Sequence, residues 1–292
     1  MIDKFLKYYV IDVFTDKKYS GNPLAVVVIK EDLALTDYKN IAREFGYSET
    51  SFIQISEKKN TVFVRSFTPT GFEINGAGHN LLGAVHAVLF CVDNFKMNLK
   101  NIPKIVMRDK TIPLLVESTN LSLLQQTAEI RNEIPSKLIS ESINIAEEEV
   151  FLKNLRPTVV KTEVAHLMVP ISNVNVLNNA SPKKELLKAL ADQFGFQGVY
   201  CFSFDRNIEE ISVRTRFFNP GIGIAEDPAT GSAAGPLAGF LFHGGFLKKN
   251  KVYKFLQGET MGRRSIINCK IVTDGIFIGG TSVKIMEGII SI

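Results

Sequence analysis

Two stretches, "VRSFTPTGFEINGAGHNLLGAVHAVLF" at residues 64–90 and "TRFFNPGIGIAEDPATGSAAGPLAGFLF" at residues 215–242, present the same features in the same order. Each opens on a β-rich run, passes through Phe-x-Pro and a loop carrying an acid, turns on small residues and enters an apolar segment rich in Ala and Gly. Phe67 corresponds to Phe218 and Pro69 to Pro220, about half the chain apart, and this shared order points to an internal duplication. The closing segments, 79–91 and 231–244, read as helices that are apolar almost all round, which a globular protein accommodates when a helix runs through a core. Each is expected to be wrapped by a sheet. Gly235 and Pro236 are expected to keep the first turn of the second one irregular.

Working outward, "YYVIDVFT" (8–15), "NPLAVVVI" (22–29), "SFIQIS" (51–56) and "TVFVRSFT" (61–68) are β-branched and aromatic runs bounded by turn residues, the signature of short strands. "KKYSGNP" reads as a hairpin connection between the first two. Further strands are predicted at 112–118, 121–130, 158–171, 199–205, 211–218, 252–257, 265–272 and 276–290. Amphipathic helices are predicted over 32–46, 140–155 and 181–195, the last stopping on a glycine at the C-cap. The fold class is therefore α/β (α+β) with two similar domains, as the 292-residue length also suggests. If both helix starts point into a cleft between the domains, their N–H groups and positive dipole ends make a site for carboxylate or phosphate.

Composition narrows the partners. Net charge is +4 from 34 basic and 30 acidic residues, and the lysines fall in short scattered runs such as "SPKKELLK" and "KKNK", with no basic stripe for nucleic acid. No run reaches the ~20 apolar residues of a membrane helix, and the first residues do not read as a signal peptide. Cys91, Cys201 and Cys269 form no CxxC pair and are odd in number, which fits a reducing, cytoplasmic setting. His79, His86, His166 and His243 lack metal-ligand spacing, so no metal is expected. The glycines match neither GxGxxG nor GxxxxGK[ST], so no nucleotide cofactor is expected either.

Five blocks, "DVFTDKKYSGNPLAVVV" (12–28), "SETSFI" (48–53), "FTP" (67–69) with "GAGHNLLGA" (76–84), "FFNPGIGIAEDPATGSAAGPLAGFL" (217–241) and "QGETMGRRS" (257–265), resemble the phenazine biosynthesis PhzF-like isomerase family. The resemblance runs over nearly the whole chain in the family's order. It implies the diaminopimelate epimerase-like fold, no cofactor, a homodimer and an active site in the cleft between two halves. One half is 1–118, with the last strand, 277–292, packing back on it, and the other is 119–276.

The same resemblance puts the general acid/base on Glu49 of "SETSF" and the other catalytic groups on His79, Asp227 and Ser232. A small anionic substrate would be held by Gly78, Asn80, Thr230, Gly231 and Ala233. One carboxylate that takes a proton from carbon and returns it elsewhere suits an isomerase, and a closed cleft would raise that carboxylate's basicity. Each residue also has a plainer reading: "SET" as the turn into a strand, Asp227 and His79 as groups at helix starts, and Glu226 as structural or solvent-facing. Family members commonly place Pro before the "xGH" turn and Thr after the histidine, where this chain has Asn75, Asn80 and Leu81.

Thiol-based racemisation is disfavoured, because Ala77 and Thr230 stand about where a facing pair of cysteines would be, and Cys91 and Cys201 read as core fillers. Three functions follow. The first is a cofactor-independent isomerase moving a proton on a small cyclic or conjugated carboxylate. The second is a racemase or lyase on a related acid, with Glu49 and Asp227 as opposed bases. The third is a non-catalytic small-anion-binding protein of the same fold. A lesser candidate site is "IGGTSVKI" (278–285) with "QGETMGR" (257–263), whose glycines would let backbone approach a ligand or simply mark bends.

Overall fold

The computed structural model describes residues 5–74, 76, 78–92, 103–108, 110–205, 212–219, 221 and 224–292. Asn75, Ala77, Ile211 and Pro220 of the sequence reading lie outside the described residues. The chain divides into two compact units, Met1–Leu124 with Gly279–Ile292, and Gln125–Ile278.

The first unit runs β1 (Phe5–Val13), β2 (Asn22–Ile29), α1 (Leu35–Phe45), β3 (Thr50–Ser56), β4 (Thr61–Phe67), α2 (His79–Phe90), β5 (Lys104–Met107), β6 (Lys110–Thr111), β7 (Leu114–Glu117) and β8 (Asn120–Gln125). In the second come β9 (Glu129–Glu133), α3 (Ser136–Ile143), β10 (Thr158–Lys161), β11 (Ala165–Pro170), α4 (Val174–Asn179), α5 (Lys184–Phe194), β12 (Val199–Asp205), β13 (Ser212–Asn219), β14 (Ile224–Asp227), α6 (Gly231–His243), β15 (Val252–Gln257), β16 (Ser265–Val272) and β17 (Gly275–Gly280). The last strand, β18 (Ser282–Ser291), belongs with the first unit, where it pairs antiparallel with β1 from Phe5↔Ser291 to Val13↔Ser282.

Pairing makes the duplication concrete. In the first unit β1–β2 is antiparallel, β2–β3 parallel, β3–β4 antiparallel, β4–β5 parallel and β5–β6 antiparallel. The second unit repeats the series with β10–β11, β11–β12, β12–β13, β13–β15 and β15–β16. The apolar helix fills the same place in each series, α2 within the β4 to β5 crossover and α6 within the β13 to β15 crossover. Phe67 ends β4 and Phe218 is the next-to-last residue of β13, and both are fully buried.

Each sheet has its apolar helix on one face and amphipathic helices on the other. On β2, Leu24 meets α2, where it lies 2.5 Å from an added Cβ at Gly83. Val27 and Ile29, on the opposite face, pack with Tyr38, Ile41 and Ala42 of α1, the alternation a strand imposes. In the second unit α3, α4 and α5 contribute Ile139, Ile143, Leu177, Leu187 and Leu190 to one core cluster with Leu167, Val169 and Val199. The helix α6 packs on β9, β10, β11 and β16. Gly46 and Gly195 end α1 and α5 in the left-handed conformation, with φ of 66° and 71°.

Several sequence expectations shift. The helix expected over 140–155 stands earlier, because Asn144 adopts the left-handed conformation and ends α3, and Glu147–Glu149 form a separate 3-10 turn. The single strands expected at 121–130, 158–171 and 276–290 are each two strands. Despite Pro236, α6 is unbroken from Gly231 to His243.

Candidate active site

In the first unit the site is built where β3 begins beside the start of α2. Glu49 immediately precedes β3 and His79 is the first residue of α2, with side-chain exposures of 14% and 7%. Ser51 ties the two elements together: its Oγ donates to the Asn80 carbonyl at 3.0 Å and pairs with Ser66 Oγ at 2.8 Å. His79 Nδ1 lies 4.0 Å from Glu49 Oε2, and His79 Nε2 lies 3.3 Å from Ser48 Oγ, which donates to Asn22 Oδ1. Burial pushes His79 down to about 3, so at neutral pH its imidazole is uncharged and the contact with Glu49 is no ion pair.

Asn80, fully buried, spends its amide on the loop ahead of α2. Its Oδ1 accepts from the Gly78 and Leu81 N–H groups, and its Nδ2 donates to Gly76 O. The Gly78 N–H expected to meet an anion is thus engaged inside the protein.

A second cluster forms in the other unit at the start of α6. Asp227 ends β14, Thr230 is the N-cap residue and Ser232 is the second residue of the helix. Thr230 Oγ1 donates to Asp227 Oδ2 at 2.5 Å, and the Thr230 N–H donates to Gln257 Oε1 at 3.2 Å. The Ala233 N–H returns to Thr230 O at 3.2 Å, which leaves Gly231 and Ser232 as the first-turn positions whose N–H groups have no acceptor within the helix. Gln257 enters because Gly258 takes φ 76° at a place where a side chain would strike Pro228 O at 2.6 Å; its neighbour is thereby laid against the "EDPATGS" turn. Glu226 is structural, paired to Arg216 at 2.8 Å.

Sequence reading missed Ser48, Asn22, Gln257 and Tyr200. Ser48, Asn22 and Gln257 each lie in a block that carries the family resemblance, 48–53, 12–28 and 257–265, whereas Tyr200 lies in none. Gly279 of the lesser candidate site is a place of close packing, where an added Cβ would lie 2.2 Å from Leu121 O. Cys91, Cys201 and Cys269 are buried and unpaired by disulfides, and burial pushes the Cys201 thiol up to about 12. Among the described residues no three His, Cys, Asp or Glu side chains gather as a metal site, and no helix is long and apolar enough to cross a membrane.

The family described as phenazine biosynthesis-like protein matches residues 11–288. The chain belongs to this family. It is 31% identical to an uncharacterized isomerase of Clostridium acetobutylicum, over 94% of this chain and 92% of the relative. It is 29% identical to the trans-2,3-dihydro-3-hydroxyanthranilate isomerase of Pseudomonas chlororaphis, over 89% of this chain and 88% of that one. In fold it is similar to the Bacillus anthracis phenazine biosynthesis protein of the PhzF family, with a TM-score of 0.84 at 21% identity and coverage of 99% and 100%. This family member is an isomerase, and its fold is diaminopimelate epimerase-like.

Proposed function

We propose that the protein is a cofactor-independent isomerase that moves a proton between carbons of a small cyclic or conjugated carboxylate, with Glu49 as general acid and base. The observation that carries the reading is a largely buried carboxylate beside a buried, neutral imidazole, at the head of an apolar helix. An uncharged His79 does not lock Glu49 in an ion pair, so the carboxylate can alternate between its two protonation states, as a single acid/base must. The relative from Pseudomonas chlororaphis, named for a dihydro-hydroxyanthranilate, supports a ring acid with conjugated double bonds as the substrate class.

In this mechanism Glu49 takes a proton from a ring carbon, and the electron pair left behind delocalises toward the substrate carboxylate. The same Glu49 proton is then delivered to a different carbon of the conjugated system. One C–H bond breaks, another forms, and nothing is oxidised or reduced. His79 and Asp227 orient polar groups of the substrate, while the Ser232 hydroxyl and the N–H groups of Gly231 and Ser232 hold its carboxylate at the positive end of α6. Thr230 and Ala233 support these donors from within the start of α6, while Gly78 and Asn80 shape the loop ahead of α2. A homodimer belongs to the same reading, and light scattering that returned 32.5 kDa would overturn that part.

The test is NMR detection of solvent deuterium entering a panel of dihydroaromatic and cyclic unsaturated carboxylates. Wild type is expected to exchange or isomerise at least one of them, and Glu49→Gln to do so at least ~100-fold more slowly. Retention of the wild-type rate in Glu49→Gln would sink the assignment of the base. Inverted configuration at the exchanging carbon, without double-bond movement, would replace the isomerase by a racemase.

A further inference from the structure

The hydrogen bonds behind Asp227 can be read with their directions. Gln257, 1% exposed, has its amide orientation set by main-chain groups of known polarity: the Thr230 N–H donates to Oε1 at 3.2 Å, and the Asp227 carbonyl accepts from Nε2 at 2.7 Å. The fully buried Tyr200 hydroxyl donates to the same Oε1 at 2.8 Å. Nε2 therefore faces Thr230 Oγ1, at 3.0 Å, as a donor. A hydroxyl has one proton. Receiving a hydrogen bond from Gln257, Thr230 Oγ1 turns its proton to its other neighbour, Asp227 Oδ2, at 2.5 Å.

We propose that Gln257 is a positioning residue for Asp227: by donating to Thr230 Oγ1 it directs the Thr230 hydroxyl proton onto Asp227 Oδ2 and holds that carboxylate ionised and fixed in orientation. Tyr200 anchors the chain at its inner end, kept protonated by burial, which raises its pKa. A hydrogen bond donated to a carboxylate favours its charged form, so the chain Tyr200–Gln257–Thr230 keeps Asp227 an acceptor toward whatever lies at its other oxygen. Gly258 makes this possible, since only a residue without a side chain brings the end of β15 against Pro228.

This inference rests on Asp227 belonging to the active site, but its test does not depend on turnover. The carboxyl carbon of Asp227 is followed by NMR through a pH titration of the whole protein without substrate, in wild type, Thr230→Ser, Thr230→Val and Gln257→Met. The other charged or titratable groups near it, Tyr200 and the Glu226–Arg216 pair, are left in place. Thr230→Ser, which keeps the hydroxyl, is expected to titrate as wild type. Thr230→Val is expected to raise the midpoint by about one pH unit, and Gln257→Met to raise it by a smaller amount, because the released hydroxyl samples other acceptors. Equal midpoints in wild type and Gln257→Met, with Thr230→Val raised, would overturn the role of Gln257. Equal midpoints in all four would overturn the whole chain. Failure of the isomerase assay would leave either result standing.

Discussion

His79 Nδ1 stands 4.0 Å from Glu49 Oε2, outside hydrogen-bond range, while the opposite ring nitrogen meets Ser48 at 3.3 Å. The imidazole is positioned by the serine and presents its other edge to the carboxylate. With burial pushing His79 down to about 3, the ring is expected to show neutral-imidazole nitrogen shifts down to pH 5, and the acid limb of the activity profile to be unrelated to its protonation. An imidazolium signal at pH 6 in the folded protein would contradict this.

Acid stability should follow from the same burial. His86 and His166 are both pushed down to about 4 by desolvation, so with His79 there are three histidines held neutral in the fold and free to charge once unfolded. Their folded values lie below the ordinary value of about 6.5, so the unfolded chain binds more protons between roughly pH 6.5 and 4, and stability is lost as pH falls through that window. Three protons correspond to a slope approaching about 4 kcal/mol per pH unit near pH 5. Urea unfolding at half-unit steps from pH 7 to 4.5 checks it; a flat profile would refute the burial of these rings.

Thiol chemistry should be irrelevant to turnover. The Cys201 thiol is pushed up to about 12 and Cys269 well above its usual value, both by burial, and Cys91 is buried at the end of α2. Thiolate is the reactive species, so incubation of the native enzyme with iodoacetamide is expected to leave the isomerase rate within about twofold, and mass spectrometry to find labelling only after unfolding. Rapid inactivation protected by substrate would bring thiol-based proton transfer back.

What the sequence disclosed depended on how local the signal was. Phe67 and Phe218, with their following turns and apolar helices, lie within contiguous stretches whose repeated order was visible, and so the duplicated architecture was legible. Glu49, His79 and Asp227 could be proposed because their short motifs resemble a family. Gln257 and Tyr200 could not, because each gains its meaning only when β12 and β15 come beside the start of α6, and residues 57 apart in the chain share one hydrogen bond. Ser48 is a common residue at a turn, and nothing in its neighbours marks it as the partner of a helix-start histidine 31 positions later. The helix expected over 140–155 failed for a local reason, since periodicity carries no information about Asn144 adopting φ 56°.

Gly83 tests how tightly α2 is seated. Replacing a helix-interior glycine by alanine ordinarily gains about 1 kcal/mol. Here an added Cβ would lie 2.5 Å from Leu24 Cδ2 and 2.8 Å from Val13 Cγ2, both on fully buried side chains. Overpacking of this kind costs about 1–3 kcal/mol, so Gly83→Ala is expected to destabilise by about 1 kcal/mol net. A gain in stability on urea unfolding would mean that α2 lies further from β1 and β2 than described.

Arg216 joins stability to the proposed active site. Its Nη1 donates to the carbonyls of Leu177, Asn178 and Ala180 at 3.0, 3.0 and 2.7 Å, closing the end of α4, while Nε and Nη2 hold Glu226 at 2.9 and 2.8 Å. The Arg and Glu side chains are only 10% and 18% exposed, so Arg216→Met would leave a largely buried carboxylate with the Thr260 hydroxyl as its donor and take the guanidinium from three carbonyls. Removing one partner of such a pair costs about 3–5 kcal/mol. Arg216→Lys is expected to fall nearly as far, because one ammonium cannot reproduce a planar guanidinium reaching both groups. Glu226 directly precedes Asp227, and β14 is short, pairing with β13 at Phe217↔Asp227 and Asn219↔Ile224. Isomerase activity of Arg216→Lys, measured well below its unfolding midpoint, is therefore expected to drop about tenfold through misplacement of Asp227. Wild-type activity together with a stability loss under 1 kcal/mol would show that neither α4 nor Asp227 depends on this guanidinium.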